Sequence, residues 1–236
     1  MVPLLLAVLV IVVCSAVQGA VGFGLNLLAV PPLLVLDPSF VPGPALVAGL
    51  VLSLLVAGRE LGALDLQLGW ALAGLLPGTA LGLGLLALVP PASLSVPLGL
   101  LVLVAVGVSA SRWQPEPTSP ALLVAGTASG FLATAASIGG PPMALVYAKR
   151  AGAELRSTLS VFFVVTAVVA LAALTLGGRF GADDLGTSAA FLPGVVAGFL
   201  LSGPLRRVVD RGYARPLVLG LSAVAAVGAI AEGLLR

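Results

Sequence analysis

The stretch "TAASIGGPPMALVYAKR", residues 134–150, places two glycines and two prolines inside an otherwise apolar segment. A second stretch, "VQGAVGFGLNLLAVPPLLVL" at residues 17–36, repeats the combination of glycines followed by Pro-Pro. Glycine permits backbone turns that other residues avoid, and proline suits the first turn of a helix, where its missing N–H is not needed. Each stretch therefore predicts a helix that stops and a short helix that starts within one apolar run.

The composition around these stretches is that of a polytopic helical membrane protein. The 236 residues are 60% hydrophobic and 8% charged, whereas soluble domains carry about 25% charged residues. The alternating pattern of a membrane β-barrel is absent, so the predicted class is all-α. A spanning helix needs about 20 apolar residues, and the chain has eight hydrophobic segments, at residues 2–36, 40–57, 66–88, 94–110, 121–148, 158–176, 185–205 and 216–235.

Several classes of protein are excluded by the residues that the chain lacks. It has no histidine, and its one cysteine, Cys14, rules out an internal disulfide. No HExxH or GxSxG motif and no acidic pair within a segment occur, so we predict no enzyme, no cofactor and no metal site. The net charge of +2 comes from short loops that orient membrane helices, so nucleic acid is not expected as a partner. No Lys or Arg precedes Arg59, so we expect residues 2–18 to be mature structure rather than a signal peptide.

The two halves of the chain correspond in four features that occur in the same order. Each half has an interrupted segment with Pro-Pro, then a segment ending in Gly-Arg, then an Asp, then a segment with Pro-Gly-x-x-x-Gly. The last motif is "PGTALG" at 77–82 and "PGVVAG" at 193–198, which we interpret as helix packing. We predict a single transmembrane domain, residues 1–236, built from repeat 1 (1–115) and repeat 2 (116–236).

The distribution of positive charge favours an inverted repeat. If both interrupted segments cross the membrane, the Lys and Arg residues divide seven to four between the two sides. If each is re-entrant and returns to its own side, they divide nine to two, and the positive-inside rule prefers this arrangement. The larger group would be Arg59, Arg112, Lys149, Arg150, Arg156, Arg206, Arg207, Arg211 and Arg215, opposite Arg179 and Arg236.

The interruptions also predict a binding site. We expect half-helices at 31–36 and 141–148, preceded by breaks at 29–32 and 139–142. A helix start presents unpaired N–H groups and a positive dipole end, so two starts that meet near the midplane form an anion site. The predicted substrate-binding residues are Gln18, Gly22, Phe23, Gly24, Asn26, Pro31, Ser129, Gly130, Thr134, Ser137, Gly139, Gly140 and Pro141.

Structural alternatives remain open for some of these residues. Gln18 and Asn26 could instead join neighbouring helices, and Phe23 could be a packing residue. Arg59 and Arg179 end corresponding segments, so they are candidates for gating at two opposite entrances or for anchors that snorkel to the interface.

The motif residues resemble those of the TauE/SafE family of sulfite exporters, also called the four-toluene sulfonate uptake family. "QGAVGFGLNLLAVPPL" is similar to its glycine-rich N-terminal motif, and "ASGFLATAASIGGPPMALVY" to its Gly-Gly-Pro motif. The resemblance covers the whole chain and implies a plasma-membrane transporter of sulfite, sulfonates or related organosulfur anions. It assigns motif positions to Gly19, Gly22, Phe23, Gly24, Asn26, Pro31, Gly130, Ser137, Gly139, Gly140 and Pro141.

Three functions are weighed from the sequence. A transporter of small anions is favoured, and a passive anion channel on the same inverted repeat or a non-transporting membrane scaffold are the alternatives. The expected partners are a small anionic substrate and the lipid bilayer of the inner (plasma) membrane, and the sequence leaves the oligomeric state open.

Overall fold

The computed structural model describes residues 2–60, 66–89, 95–110, 114–150 and 152–209, and the regular structure within these ranges is all helical. Short 3-10 turns at Pro38–Phe40 and Leu66–Leu68 precede the third and fourth helices. The α-helices of the described ranges are α1 (Val2–Val21), α2 (Leu25–Leu36), α3 (Gly43–Glu60), α4 (Gly69–Leu88), α5 (Ser95–Ala110), α6 (Ser119–Ala136), α7 (Gly140–Val146), α8 (Gly152–Leu176) and α9 (Ala182–Val209).

The chain is a multi-pass helical membrane protein. Six of the described helices, namely α1, α3, α4, α6, α8 and α9, are long and apolar enough to span a bilayer, while α2 and α5 are apolar but shorter. Seven of the eight predicted segments correspond to one or two of these helices, and the eighth, 216–235, lies outside the described residues. α8 begins six residues earlier than predicted, with Glu154 in its first turn, where the helix dipole favours an acidic side chain.

α4 and α6 form the most extensive helix pair, and glycines make their close approach possible. A Cβ atom placed on Gly78 would lie 2.0 Å from the carbonyl oxygen of Thr127, and one on Gly126 would lie 2.0 Å from that of Ala71. The contacts advance in the same direction along both helices, from Gly74 against Leu123 onward, so α4 and α6 run parallel. The packing interpretation of "PGTALG" is therefore confirmed.

α1 and α9 form a second glycine-mediated pair of the same kind. A Cβ atom on Gly194 would lie 3.0 Å from the carbonyl oxygen of Val8, and one on Gly198 would lie 2.4 Å from that of Val12. These two helices also run parallel, and the packing interpretation of "PGVVAG" is confirmed. Small residues let backbones approach closely where no hydrophobic effect drives helices together in lipid.

α3 lies at the centre of the protein and packs against α8. In its most apolar stretch 67% of the residues are buried, compared with 33–56% in the other five long helices. Gly43 at the start of α3 lies against the ring of Phe180, which follows α8, while Glu60 at its end pairs with Arg156 near the start of α8. α3 and α8 therefore run antiparallel.

Both interrupted segments are broken, but the first break lies earlier than predicted. α2 begins at Leu25 and contains Pro31 and Pro32, so the expected break at 29–32 and half-helix at 31–36 are wrong. The turning is done by Gly22 and Gly24, whose φ angles of 104° and 118° suit glycine alone among common residues. The second break lies at 137–139, two residues before the predicted 139–142, because α6 ends at Ala136 and α7 runs from Gly140 to Val146.

Candidate substrate-binding site

A cavity lies where the two breaks meet, between α3 and α8. About 50 Å³ of it is available to the centres of water molecules, enough for several waters or a small ion. Seven of the predicted site residues line it: Gln18, Gly24, Asn26, Ser137, Gly139, Gly140 and Pro141. They come from regions more than 100 residues apart in the sequence, so the fold brings together residues that the prediction grouped only by motif.

The start of α2 supplies one wall of the cavity. Gly24 caps this helix in a left-handed conformation, and the Leu25 N–H donates to Gln18 Oε1 at 2.9 Å. Because its oxygen is occupied, the Gln18 amide has its NH₂ group left for another acceptor. The N–H groups of Asn26 and Leu27 follow in the first turn, where a helix offers no internal acceptor.

The start of α7 supplies the opposite wall, with fewer donors than expected. Pro141 and Pro142 have no N–H, so Gly139 and Gly140 carry the backbone donors at this start. Ser137, at the end of α6, is the one non-glycine residue with positive φ (63°) in the described ranges. Its hydroxyl donates to the Pro42 carbonyl at 2.7 Å, so its proton holds the break in place and is not available to a ligand in this structure.

Asn26 ties the two breaks to α3. Its Nδ2 donates to the Ser137 carbonyl at 2.9 Å and to the Ala45 carbonyl at 3.2 Å. Both amide protons are thus used within the protein, as in the alternative that Asn26 joins neighbouring elements. Its Oδ1 is buried and has no partner within the described part of the chain, so it is able to accept a bond from a ligand that carries a hydroxyl.

We expect Asn26→Asp to destabilise the protein because a carboxylate has no donors for the Ser137 and Ala45 carbonyls. A buried group that loses its partner costs about 1–3 kcal/mol, so the thermal unfolding midpoint in detergent should fall by several degrees. The same amide-to-carboxylate change at Gln114, which lies outside the helices, is the control and should leave the midpoint near that of the wild type. An unchanged midpoint for Asn26→Asp would remove the structural role assigned to this side chain.

Two hydroxyl residues of the cavity were missed by the sequence prediction. Ser53 on α3 is fully buried, and its hydroxyl has no partner among the described residues. Thr166 on α8 donates to the Phe162 carbonyl at 2.7 Å and keeps free lone pairs. Ser53 is the only hydroxyl residue in the apolar segment 40–57, which was a usable signal. The rest of the added lining is apolar or glycine: Leu27, Leu46, Gly49, Ala133, Ile138, Phe163 and Ala167.

The other predicted site residues do not line the cavity. Gly22 packs against Arg156, and Gly130 against the α4 backbone near Leu75. Phe23 is buried in a neighbouring apolar cluster, although its side chain lies close to Gly140, and Pro31 is buried inside α2. Ser129 and Thr134 are also buried, and their hydroxyls have no partner in the described ranges.

The two candidate gating arginines lie at opposite ends of the α3–α8 pair. Arg59 Nη2 donates to the Gly19 carbonyl at 2.7 Å, and its Nη1 donates to Ser202 Oγ at 3.0 Å. Arg179 follows the other end of α8 and donates to the Leu86 carbonyl near the end of α4. Both arginines therefore hold helix ends in place.

The similarity of the chain to known proteins agrees with this architecture. The family model described as sulfite exporter TauE/SafE matches residues 6–229, which is nearly the whole chain. No curated protein and no solved structure shows significant similarity to it. The match includes both interrupted segments and all the helices that form the cavity. The chain therefore belongs to the TauE/SafE sulfite exporter family, whose members are membrane transporters.

Proposed function

We propose that this protein carries sulfite, sulfonates or related small organosulfur anions across the plasma membrane and that the cavity is its substrate site. The observation that supports this most strongly is the meeting of two helix starts, those of α2 and α7, at one cavity. The described residues that line it include no charged side chain. An anion would therefore be held by backbone N–H groups, the Gln18 amide and the neighbouring hydroxyls.

The depth of the cavity suits a transported substrate. On α3 its lining residues are Leu46, Gly49 and Ser53, in the middle of the candidate membrane span that runs from Pro38 to Glu60. On α8 they are Phe163, Thr166 and Ala167, again far from both ends. Broken helices that meet near the middle of a membrane protein are typical of transporter sites.

The helix directions support an inverted repeat. Within halves 1–115 and 116–236, α3 corresponds to α8, and α4 corresponds to α9. An axis in the membrane plane makes corresponding helices run in opposite directions, as α3 and α8 do. It also exchanges the pairs α4–α6 and α9–α1, which share the same glycine-mediated packing. The re-entrant arrangement places Arg59 and Arg206 on the same side of the membrane. In agreement with this, both bind the carboxylate of Glu60.

A thermal-shift screen of the purified protein tests the proposal. Sulfite, thiosulfate or a small sulfonate should raise the unfolding midpoint, since a ligand at about 100 times its Kd stabilises the native state by about 2.7 kcal/mol. Potassium gluconate at equal ionic strength is the control for the screening of protein charges by salt. If none of the sulfur oxyanions raises the midpoint above the gluconate value, the proposed substrate class is wrong. Saturation of flux in proteoliposomes then distinguishes a carrier from the alternative of a channel.

A further inference from the structure

Three arginines converge on one buried carboxylate at the end of α3. Arg156 Nε donates to Glu60 Oε2 at 2.8 Å and to Oε1 at 3.0 Å, and Arg206 Nη1 donates to Oε1 at 3.0 Å. Arg59 Nη2 lies 3.4 Å from the same oxygen. The Glu60 side chain is only 6% exposed. We call Glu60, Arg59, Arg156 and Arg206 the arginine cluster.

Two members of the arginine cluster, Arg59 and Arg206, keep a donor that the described residues do not satisfy. A guanidinium carries five N–H donors, whereas a carboxylate offers about four acceptor positions. The Nε atoms of Arg59 and Arg206 are buried without a partner in the described ranges. Arg59 is held rigidly, because its guanidinium also lies over the ring of Phe199, 4.7 Å from the centroid. These donors leave the cluster with unused capacity to bind anionic oxygens.

The arginine cluster lies close to the cavity, toward one face of the protein, at the end of α3. Glu60 follows the cavity residue Ser53 by seven positions on α3, which is about 10 Å along the helix. Arg59 binds the carbonyl of Gly19, the neighbour of the cavity residue Gln18. Arg156 packs against Gly22, in the turn that leads to the start of α2. An ion leaving the cavity toward this face therefore meets the arginine cluster next.

We propose that the arginine cluster is a second anion-binding site, in which the Glu60 carboxylate occupies the place of a small oxyanion until the substrate displaces it. A carboxylate and a sulfur oxyanion present the same chemistry to guanidinium groups, namely paired negative oxygens. The site thus holds the anion at one mouth of the transport path. Only the identity of this anion rests on the proposed function, and the existence of the site does not.

The test uses a background in which the cavity is blocked, Gly140→Val, so that binding at the two sites is measured separately. In this background we add Glu60→Gln, which keeps the side-chain shape and removes the competing charge. The half-saturating sulfite concentration for thermal stabilisation should fall about tenfold, since a unit charge a few ångströms away is removed. Adding Arg206→Gln should abolish the gain. Gluconate at equal ionic strength again controls for screening.

A second measurement covers the case in which Glu60→Gln fails to fold. Arg206→Gln alone leaves Glu60 paired with Arg59 and Arg156, so it should fold. In proteoliposomes of known orientation it should raise the sulfite KM several-fold from the cluster side and leave the KM from the other side unchanged. A cluster-side KM equal to that of the wild type, or no sulfite-dependent stabilisation of Gly140→Val/Glu60→Gln beyond gluconate, would show that the arginine cluster only joins helix ends. If the wild type, in which the cavity is not blocked, does not bind sulfite, the proposed substrate is wrong instead.

Discussion

Replacing Gly78 with valine should prevent α4 and α6 from packing, and little folded protein should be recovered. A Cβ atom at this position would lie 2.0 Å from the Thr127 carbonyl oxygen and 2.8 Å from its carbon. These are backbone atoms of α6, so no side chain can move aside, and the helices must separate by an ångström or more. The contacts at Gly74, Gly82 and Gly126 would separate with them.

The expected cost of this substitution is large because packing is the main attraction between helices in lipid. Overpacking in a tight interior costs about 1–3 kcal/mol, and sometimes more where only backbone is available to yield. The measurement is the yield of monodisperse protein in detergent together with its thermal midpoint. Gly84→Val, on an exposed face of the same helix, is the matched control, because no atom of a neighbouring helix lies within 4 Å of its new Cβ. Equal yields and midpoints for the two variants would contradict the close packing of α4 on α6.

The sequence predicted the features of this fold that depend on local chemistry. Apolar runs predicted the helices, and Pro-Gly-x-x-x-Gly predicted close helix contacts, since glycine lets a neighbouring carbonyl occupy the space of a Cβ atom. The second break was located to within two residues because Gly139, Gly140 and Pro141 are adjacent and mark the start of α7. There the glycines and the proline indicate the same position.

The first break was misplaced because its glycines and prolines are separated. Pro31 is the seventh residue of α2, so it removes the N–H that would pair with the Leu27 carbonyl without ending the helix. Neighbouring helices tolerate such a loss in a membrane protein. The turn itself requires positive φ, which Gly22 and Gly24 supply. Positive φ, and not the presence of proline, was therefore the better guide to where the chain turns.

The arginine cluster could not be predicted, because its members are far apart in the sequence. Arg156 and Arg206 follow Glu60 by 96 and 146 residues. Each looked like a loop charge that orients a helix, and only the packing of α3 against both α8 and α9 brings them together. The same reason explains why Asn26 was assigned to a ligand, since the carbonyls that it binds belong to Ser137 and Ala45, in separate elements.

Gly140→Val should abolish transport while the protein still folds. Gly140 is the first residue of α7 and lines the cavity. A Cβ atom here would lie 3.5 Å from Phe163 Cζ and 3.7 Å from Phe23 Cβ, which are ordinary contacts. Alanine should therefore fit without strain. The two further methyl groups of valine must take up part of a cavity that offers only about 50 Å³ to water centres, and they stand over the N–H groups of the helix start.

This prediction separates a substrate site from a structural kink because stability and transport should respond differently. Uptake of labelled sulfite into proteoliposomes should be lost in Gly140→Val, retained in Gly140→Ala and retained in Gly84→Val, which carries the same side chain on an exposed face of α4. The thermal midpoints of all three should stay near the wild-type value, because none places a Cβ closer than 3.5 Å to another atom. A well-folded Gly140→Val variant that transports sulfite at the normal rate would mean that the breaks only shape the backbone. The substrate path would then have to avoid the cavity, and the helix starts of α2 and α7 would have no role in binding.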